Sequence, residues 1–254
     1  MRAVFVPRPP AILATLAFLA PLAYSAPPAD QQPQPLESEV PCARLAGQPL
    51  PQDAVAHRDP GNDTLMQLQA SSLSSALEAS PEYRRMRAKN DEAGIAFCFL
   101  EAYASQFKLD SPYKELRLAV TLPEDSGQAS VRFKQYFGSL PVRDGHITVY
   151  LNPQKQVYKV EGRYYPTPSH IPLKPKPRLS AERATSVARD GLAVDLSAER
   201  SYRAEMGVYV GSGRRAALAY RISVSKGALD EWEIWIDANT GAVMERTVPL
   251  KPRL

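Results

Sequence analysis

The chain has 254 residues, of which 44% are hydrophobic, enough to bury the core of one large domain or two small ones and to exclude a wholly disordered protein. Its formal net charge of +4 is modest. The short basic clusters at 84–87 and 174–178 lack the interleaved aromatic residues of a nucleic-acid platform. These properties predict a folded protein with no nucleic-acid partner.

Residues 1–25 have the pattern of a signal peptide. Arg2 and Arg8 precede a short apolar run over 11–22, and small residues follow it at 23–26 in the sequence AYSA. The apolar run is well short of the roughly 20 residues that a membrane-spanning helix needs. We therefore expect an exported protein, periplasmic or secreted, with no membrane insertion after the signal is cleaved.

The chain contains two cysteines, Cys42 and Cys98. An exported protein reaches a compartment in which disulfides persist. The sequence leaves two interpretations open, a disulfide or two unpaired thiols, because it does not give the distance between the two Cα atoms.

Residues 26–62 are rich in Pro and Gln and poor in aromatic residues, so they offer little burial to offset the entropy cost of ordering. We predict a mobile lead segment there. Order is expected to begin near Asp63 and Thr64, a cap-like pair before a short helical pattern of leucines. These leucines are Leu65, Leu68, Leu73 and Leu77.

A stronger helix is predicted over 91–109, where large apolar residues recur at offsets of a helical face. Cys98 lies off this face, which slightly favours an exposed or disulfide-bonded thiol over one packed in the core. The residues of the face are Ala96, Phe99, Leu100, Tyr103 and Phe107.

Four runs of alternating hydrophobicity follow and predict an antiparallel meander within residues 63–163. The runs are KELRLAVTLPE, VRFKQYF, HITVYL and QVYKVEGRYY. Turn-forming residues separate the runs. They lie at 125–127, 138–141, 144–145 and 152–153.

Residues 164–178 are rich in proline, which fixes φ and removes hydrogen-bond donors, so we predict a stiff linker between two lobes. The second lobe, 179–247, begins with Ser180 as the cap of a helix whose small residues Ala184, Val187 and Ala188 suit close packing on a sheet. Strands are predicted in MGVYVG, AALAYRISVS and EWEIWID. The predicted fold class is α+β, with two consecutive lobes that each pack a helix on an antiparallel sheet.

The sequence predicts no catalytic residue, no metal site and no cofactor. Its three histidines, His57, His146 and His170, form no metal-binding motif, and there is no G-x-S-x-G elbow or phosphate-binding loop. Glu231 and Glu233 share a strand face, where solvation explains them better than acid–base work. We therefore expect a binding or folding module, not an enzyme.

The region VRFKQYFGSLPVRDGHITVYLNPQKQVYKVEG resembles the propeptide domain of fungalysin- and thermolysin-type metalloproteases. In that family a strand of the form H-V-R-F-x-Q leads to a G-x-P-V corner and to a strand that ends in Gly. Ser130 replaces the usual His of the family. The matching positions are Arg132, Phe133, Gln135, Gly138, Pro141, Val142 and Gly162.

The second lobe resembles a PepSY domain, the companion module of such precursors, and a cystatin-like or PepSY-like fold is implied for it. The sequence EWEIWIDANTGAVMER fits the form W-x-x-x-x-D-A-x-T-G of its last hairpin. In such a turn Asp bonds its own backbone and Gly takes a positive φ. The matching residues are Trp232, Asp237, Ala238, Thr240 and Gly241.

The resemblance implies a stand-alone exported propeptide-like protein that inhibits a thermolysin-type zinc metalloprotease in trans, assists its folding, or both. The chain ends at TVPLKPRL, where a protease domain begins in the full precursors, and the zinc motif is absent. The expected protease contact is the tail 248–254, in particular Lys251, Pro252, Arg253 and Leu254. The carboxylate of Leu254 could bind the zinc as a cleavage product would.

Two other interpretations stay open at the level of the sequence. One is a non-enzymatic envelope or periplasmic protein of the PepSY type that binds some other peptide. The other is a truncated metalloprotease precursor without activity.

Overall fold

The computed structural model describes Cys42, Leu45 and residues 47–168, 176–191, 201–211, 216–226 and 230–247. The predicted signal peptide and the predicted tail, with Lys251, Pro252, Arg253 and Leu254, lie outside the described residues. So do residues 169–175 of the predicted linker.

Five α-helices and ten β-strands form within the described residues, and a 3-10 helix at Ser75–Ala79 precedes the first α-helix. The helices are α1 (Pro81–Ala88), α2 (Glu92–Ala102), α3 (Ala104–Phe107), α4 (Pro112–Glu115) and α5 (Ala181–Gly191). The strands are β1 (Val55–Arg58), β2 (Leu65–Gln69), β3 (Leu116–Pro123), β4 (Ala129–Phe137), β5 (Leu140–Leu151), β6 (Val157–Arg163), β7 (Ser201–Val210), β8 (Ala216–Lys226), β9 (Asp230–Asp237) and β10 (Val243–Thr247).

The ten strands belong to one sheet. Its path runs β1-β2-β6-β5-β7-β8-β9-β10, and β4 pairs with β5 and with β3. All pairings are antiparallel except β5 with β7, which is parallel and joins Val142 to Val208. The predicted α+β class with antiparallel strands is confirmed. The two predicted sheets, however, are joined by β5, which pairs with β6 through its second half and with β7 near its start.

The first core lies between α2 and the meander of β3 to β6. All five residues of the predicted helical face are buried in it, together with the inward residues of β4 and β5 such as Phe133 and Val149. Asp91 caps α2, because its side chain accepts a hydrogen bond from the backbone N–H of Gly94 at 2.9 Å. The predicted helix is therefore confirmed, with a break at Tyr103 between α2 and α3.

The second core lies between α5 and strands β7 to β9. Ala184 and Ala188 are buried there, as the small-residue pattern predicted. Ser180 accepts a hydrogen bond from the backbone N–H of Arg183 at 3.2 Å and so caps the helix. The same core also contains Phe137 and Leu140 from the end of β4 and the start of β5, so the first half of the chain contributes to it.

The helical pattern predicted from Leu65 is wrong, because Leu65–Gln69 forms strand β2 between β1 and β6. Strand β1, at Val55–Arg58, also lies within the stretch predicted to be a mobile lead. In both cases strand pairing outweighs the local pattern: β2 pairs with the distant β6, and β1 pairs with β2. Each backbone gains hydrogen bonds that the local sequence pattern does not reveal.

Asp144 and Gly145 were predicted to form a turn but lie inside β5. The register slips there, since Lys134 faces His146 whereas Tyr136 faces Pro141. Asp144 takes a φ of 55°, a left-handed conformation that Asp tolerates better than most residues. This bulge separates the part of β5 that pairs with β6 from the part that reaches β7.

Candidate functional site: the junction of the two modules

The corner between β4 and β5 carries the predicted Gly138 motif. Gly138 and Ser139 form a two-residue hairpin loop between the paired Phe137 and Leu140. Gly138 has a φ of 61°, as the first position of a type II′ hairpin turn requires. The tight turn keeps Phe137 and Leu140 side by side, and both insert into the second core.

Gln135 ties the meander to the start of the linker. Its side chain is fully buried, donates through Nε2 to the carbonyl oxygen of Tyr165 at 2.6 Å and accepts through Oε1 from the Tyr165 N–H at 3.0 Å. The amide thus satisfies both backbone groups of one residue. Gly145 leaves room for it, because a Cβ there would lie 2.9 Å from the Gln135 Cβ.

The other motif residues of the first module have separate structural roles. Phe133 is buried, and its ring centroid lies 4.5 Å from that of Phe97. Gly162 lets β5 and β6 approach, because a Cβ on it would lie 2.6 Å from the carbonyl oxygen of His146. Arg132 is exposed on the opposite side of the sheet from the core.

Pro141 and Val142 form the contact with β7. Val142 is buried in the second core and pairs with Val208. A Cβ on Gly207 would lie 2.9 Å from the carbonyl oxygen of Pro141 and 3.3 Å from the Trp235 ring. Glycine at position 207 therefore permits the close approach of the two backbones.

The PepSY motif forms the turn between β9 and β10 with the predicted hydrogen bonds. Asp237 Oδ1 accepts from the N–H groups of Asn239 and Thr240, each at 2.8 Å, and Gly241 has a φ of 78°. Ala238 is fully buried, and its carbonyl accepts from the N–H of Leu179 at 3.0 Å. The turn thus holds the end of the linker. Trp232, the remaining motif residue, is half-buried and packs against the second core.

An ion pair joins β5 to β10 at the junction. Arg143 of β5 contacts Glu245 of β10, and its guanidinium also lies 5.2 Å from the centroid of the Tyr209 ring. The Tyr209 hydroxyl donates to the other Glu245 oxygen at 2.8 Å. Burial, and next the hydrogen bond to Glu245, raise the pKa of Tyr209. We call Arg143, Tyr209 and Glu245 the junction cluster.

The sequence did not predict the junction cluster or the hydrogen bonds from Gln135 to Tyr165. A signal was nevertheless present, because Gly145 and Gly207 interrupt strand patterns, and an isolated glycine in a strand marks a bulge or a close backbone approach. No local sequence pattern indicates the pairing of Arg143 with Glu245.

Cys42 and Cys98 are joined by a disulfide, which settles the alternative that the sequence left open. Both residues are buried in the first core. The disulfide attaches the segment before β1 to helix α2.

The described residues contain no group of three or more His, Cys, Asp or Glu side chains arranged to hold a metal ion. No helix in the same part of the chain combines the length and apolar character needed to cross a membrane.

Two protein families match the chain. The family described as Fungalysin/Thermolysin Propeptide Motif matches residues 115–164. The family described as Peptidase propeptide and YPEB domain matches residues 178–247. Both predicted modules are present. We refer to the first match, together with the preceding residues of the first core, as the propeptide module, and to the second match as the PepSY module.

Solved structures with some likeness come from bacteria. The Bacillus megaterium YpeB C-terminal domain has 14% identity and a TM-score of 0.37, over 78% of this chain and 83% of its own. A putative lipoprotein from Clostridium difficile 630 has 14% identity and a TM-score of 0.22, over 53% of this chain and 84% of its own. No curated protein matches the chain.

The two modules set the general character of the protein. Propeptide and PepSY domains are typically non-catalytic. A fungalysin/thermolysin propeptide module implies association with a metalloprotease, and PepSY domains are typical of exported or envelope proteins. The two matched regions of the chain are thus similar to propeptide and PepSY domains.

Proposed function

We propose that this chain is exported and binds a separately encoded thermolysin-type zinc metalloprotease in trans, as an inhibitor, a folding assistant or both. The observation that supports this most is the union of the propeptide and PepSY modules through β5, which pairs with both parts of the sheet. The two modules, joined in this way, present a single surface to a partner. Two modules on a free linker would instead lose entropy on binding.

The junction cluster gives β10 a defined position. Strand β10 immediately precedes the predicted tail, and Glu245 within it is held by Arg143 and Tyr209. Side-chain exposures of 16% for Arg143 and 29% for Glu245 indicate a pair partly withdrawn from solvent, which interacts more strongly than a fully exposed pair. We propose that this contact aims the tail at the active-site cleft of the protease.

The test mixes the purified mature chain with an exported thermolysin-type protease from the same source. Two quantities are measured: peptide hydrolysis by the folded protease, and the yield of active protease after dilution from denaturant. We expect lower hydrolysis, a higher yield, or both. If the chain changes neither quantity at micromolar concentration, the proposal is wrong.

Two variants separate the tail from the junction cluster. Deletion of residues 251–254 should raise the inhibition constant sharply, and unchanged inhibition would exclude the tail from the mechanism. Arg143→Gln should raise the inhibition constant about three- to tenfold, because β10 loses its link to β5. Arg203→Gln is the matched control, since Arg203 also pairs with a glutamate, Glu205, but is 75% exposed and does not touch β10.

A second candidate function is peptide binding by an envelope protein. It is favoured by the position of β10 at the end of the sheet path, where one edge of the strand has no paired neighbour among the described strands. Such an edge can accept an added strand. Proline substitution at Met244 would distinguish the candidates if it abolished peptide binding and left protease inhibition unchanged.

A further inference from the structure

A row of basic side chains crosses the outer face of the propeptide module, the face opposite the first core. In the antiparallel register, Arg117 of β3 faces Lys134 of β4, Lys134 faces His146 of β5, and His146 faces Arg163 of β6. Side chains alternate between the two faces along a strand, so these four share one face. We call them the basic row.

One pair in the basic row is unfavourable for the sheet itself, because Arg117 and Lys134 are both cations and lie opposite each other. Like charges directly opposite each other on neighbouring strands are destabilising. Lys134 and Arg163 are exposed, and Arg132 adds another exposed charge two residues from Lys134. Neither Arg132 nor Lys134 has an acidic partner among the residues that the structure describes. The Arg117 guanidinium stacks on the Tyr136 ring, 4.0 Å from its centroid, and donates to the Gly138 carbonyl oxygen at 3.4 Å. Packing within the propeptide module therefore accounts for Arg117 but not for Arg132 or Lys134.

Two carboxylates near the basic row already contact cations, and Asp144 also approaches Arg163 of the row itself. Glu161 contacts Lys159 at 2.6 Å and accepts from the Tyr150 hydroxyl at 3.0 Å. Asp144 lies 3.1 Å from Arg143 and 3.9 Å from Arg163. Since both carboxylates are shared or paired, the basic row retains a net positive charge toward solvent.

An apolar strip lies beside the basic row on the same side of the sheet. A bulge after Leu118 makes Val120 face Arg132 and Leu122 face Ser130, so Val120 and Leu122 point outward. They are 38% and 55% exposed. Strand β3 pairs only with β4 among the described strands, which leaves its other edge open. Positive charge, apolar side chains and an open strand edge thus adjoin one another.

We propose that the basic row and the adjoining edge of β3 bind an acidic polypeptide segment of a partner. Its carboxylates would face Arg117, Arg132 and Lys134, the cations on the two strands nearest that edge. Its apolar residues would face the strip, and its backbone the open edge, where main-chain hydrogen bonds form. A phospholipid surface or a free phosphate could use the charges but not the backbone groups of the edge. This binding is independent of the tail and holds whether or not the partner is a metalloprotease.

The test uses a fluorescent decapeptide of alternating Glu and Val as the probe, with the full mature chain. Binding is measured by anisotropy at low and at physiological ionic strength. We expect Arg132→Gln with Lys134→Gln, both on β4 beside the open edge, to weaken binding about tenfold at low salt and to flatten the salt dependence. The matched control, Arg85→Gln with Lys89→Gln, removes an exposed Arg from α1 and the exposed Lys that follows its last residue, and it should bind as the wild type does.

A stability measurement separates a binding defect from misfolding. The Arg132 and Lys134 double variant should unfold at the same temperature as the wild type or higher, because it removes the Lys134 charge that lies opposite Arg117 on the neighbouring strand. Equal loss of binding in the α1 control, or no peptide binding at all, would overturn the proposal. Row-dependent binding to phosphatidylglycerol vesicles without peptide binding would also overturn it and would assign the row to a membrane surface.

Discussion

The propeptide and PepSY modules differ in the arrangement of charged side chains on the outer face of the sheet. In the PepSY module, Glu205 contacts Arg203 at 2.7 Å and also Arg221, and Arg221 lies 3.6 Å from Glu233. Charges of opposite sign therefore alternate and neutralise one another. In the propeptide module the corresponding face carries the basic row. A face on which opposite charges pair contributes to the stability of the module. A face with unpaired charges of one sign is a better candidate for contact with a partner.

The two modules also differ in how their cores are held together. The propeptide module packs large aromatic residues under α2 and carries the disulfide from Cys42 to Cys98. The PepSY module packs α5 closely through Ala184 and Ala188. The first core therefore depends on a covalent link to the segment before β1, and the second depends on residues supplied by β4 and β5.

The largest expected effect comes from removing the disulfide, which should weaken the propeptide module more than the PepSY module. The cysteines are separated by 56 positions, so the Cys42→Ala, Cys98→Ala variant should lose about 4 kcal/mol of unfolding free energy in the chain-entropy model. Urea denaturation measures the loss. Hydrogen exchange should then increase more in β4 and β5 than in β8 and β9, and equal increases would contradict the difference between the modules.

An intermediate effect is expected from Gly207→Ala, which tests whether the modules depend on their junction. The added Cβ would lie 2.9 Å from the backbone oxygen of Pro141, so β5 and β7 would have to separate, at a cost of about 2 kcal/mol. Gly211→Ala is the control, because its Cβ would meet only a ring carbon of Tyr209 at 3.3 Å. Thermal unfolding of both variants by circular dichroism gives the comparison. Similar melting temperatures would show that the contact is dispensable.

The smallest effect concerns the pH dependence of the propeptide module. Burial raises the pKa of Glu101 and of Glu115. Each group therefore contributes stability that is fully present below its unfolded pKa and is lost as the pH rises through the raised folded value. The side chain of Glu101→Gln stays uncharged and keeps an acceptor for the Tyr113 N–H. As the pH rises through the raised pKa of Glu101, the free energy of unfolding should therefore fall less in this variant than in the wild type. Exposed Glu124→Gln should follow the wild-type pH profile.

Local patterns predicted those parts of the fold that are decided by nearby residues. The face of α2, the cap at Ser180 and the turn from Asp237 to Gly241 each depend on residues within a few positions of one another. In such segments periodicity and turn chemistry are sufficient, because the competing conformations differ in local energy.

The remaining features depend on pairing between distant strands. Leu65–Gln69 is a strand because β1 and β6 flank it, and Asp144 lies in a bulge because β5 pairs with two different neighbours. The junction cluster likewise joins positions 143 and 245. No window of sequence contains both members of such a pair, so these contacts were not predictable from periodicity. The motif positions were predictable from the resemblance, but their roles were not.

Strand β5 has a consequence for how the protein can be divided. The two family matches meet near the linker, which suggests a cut between residues 164 and 178. Yet Phe137, Leu140 and Val142, all before that cut, fill part of the second core. The boundary between the two family matches therefore does not coincide with the boundary between the two hydrophobic cores. A PepSY fragment released at the linker would expose the apolar surface that these three side chains cover, and adding the β4–β5 hairpin as a separate peptide should restore its solubility.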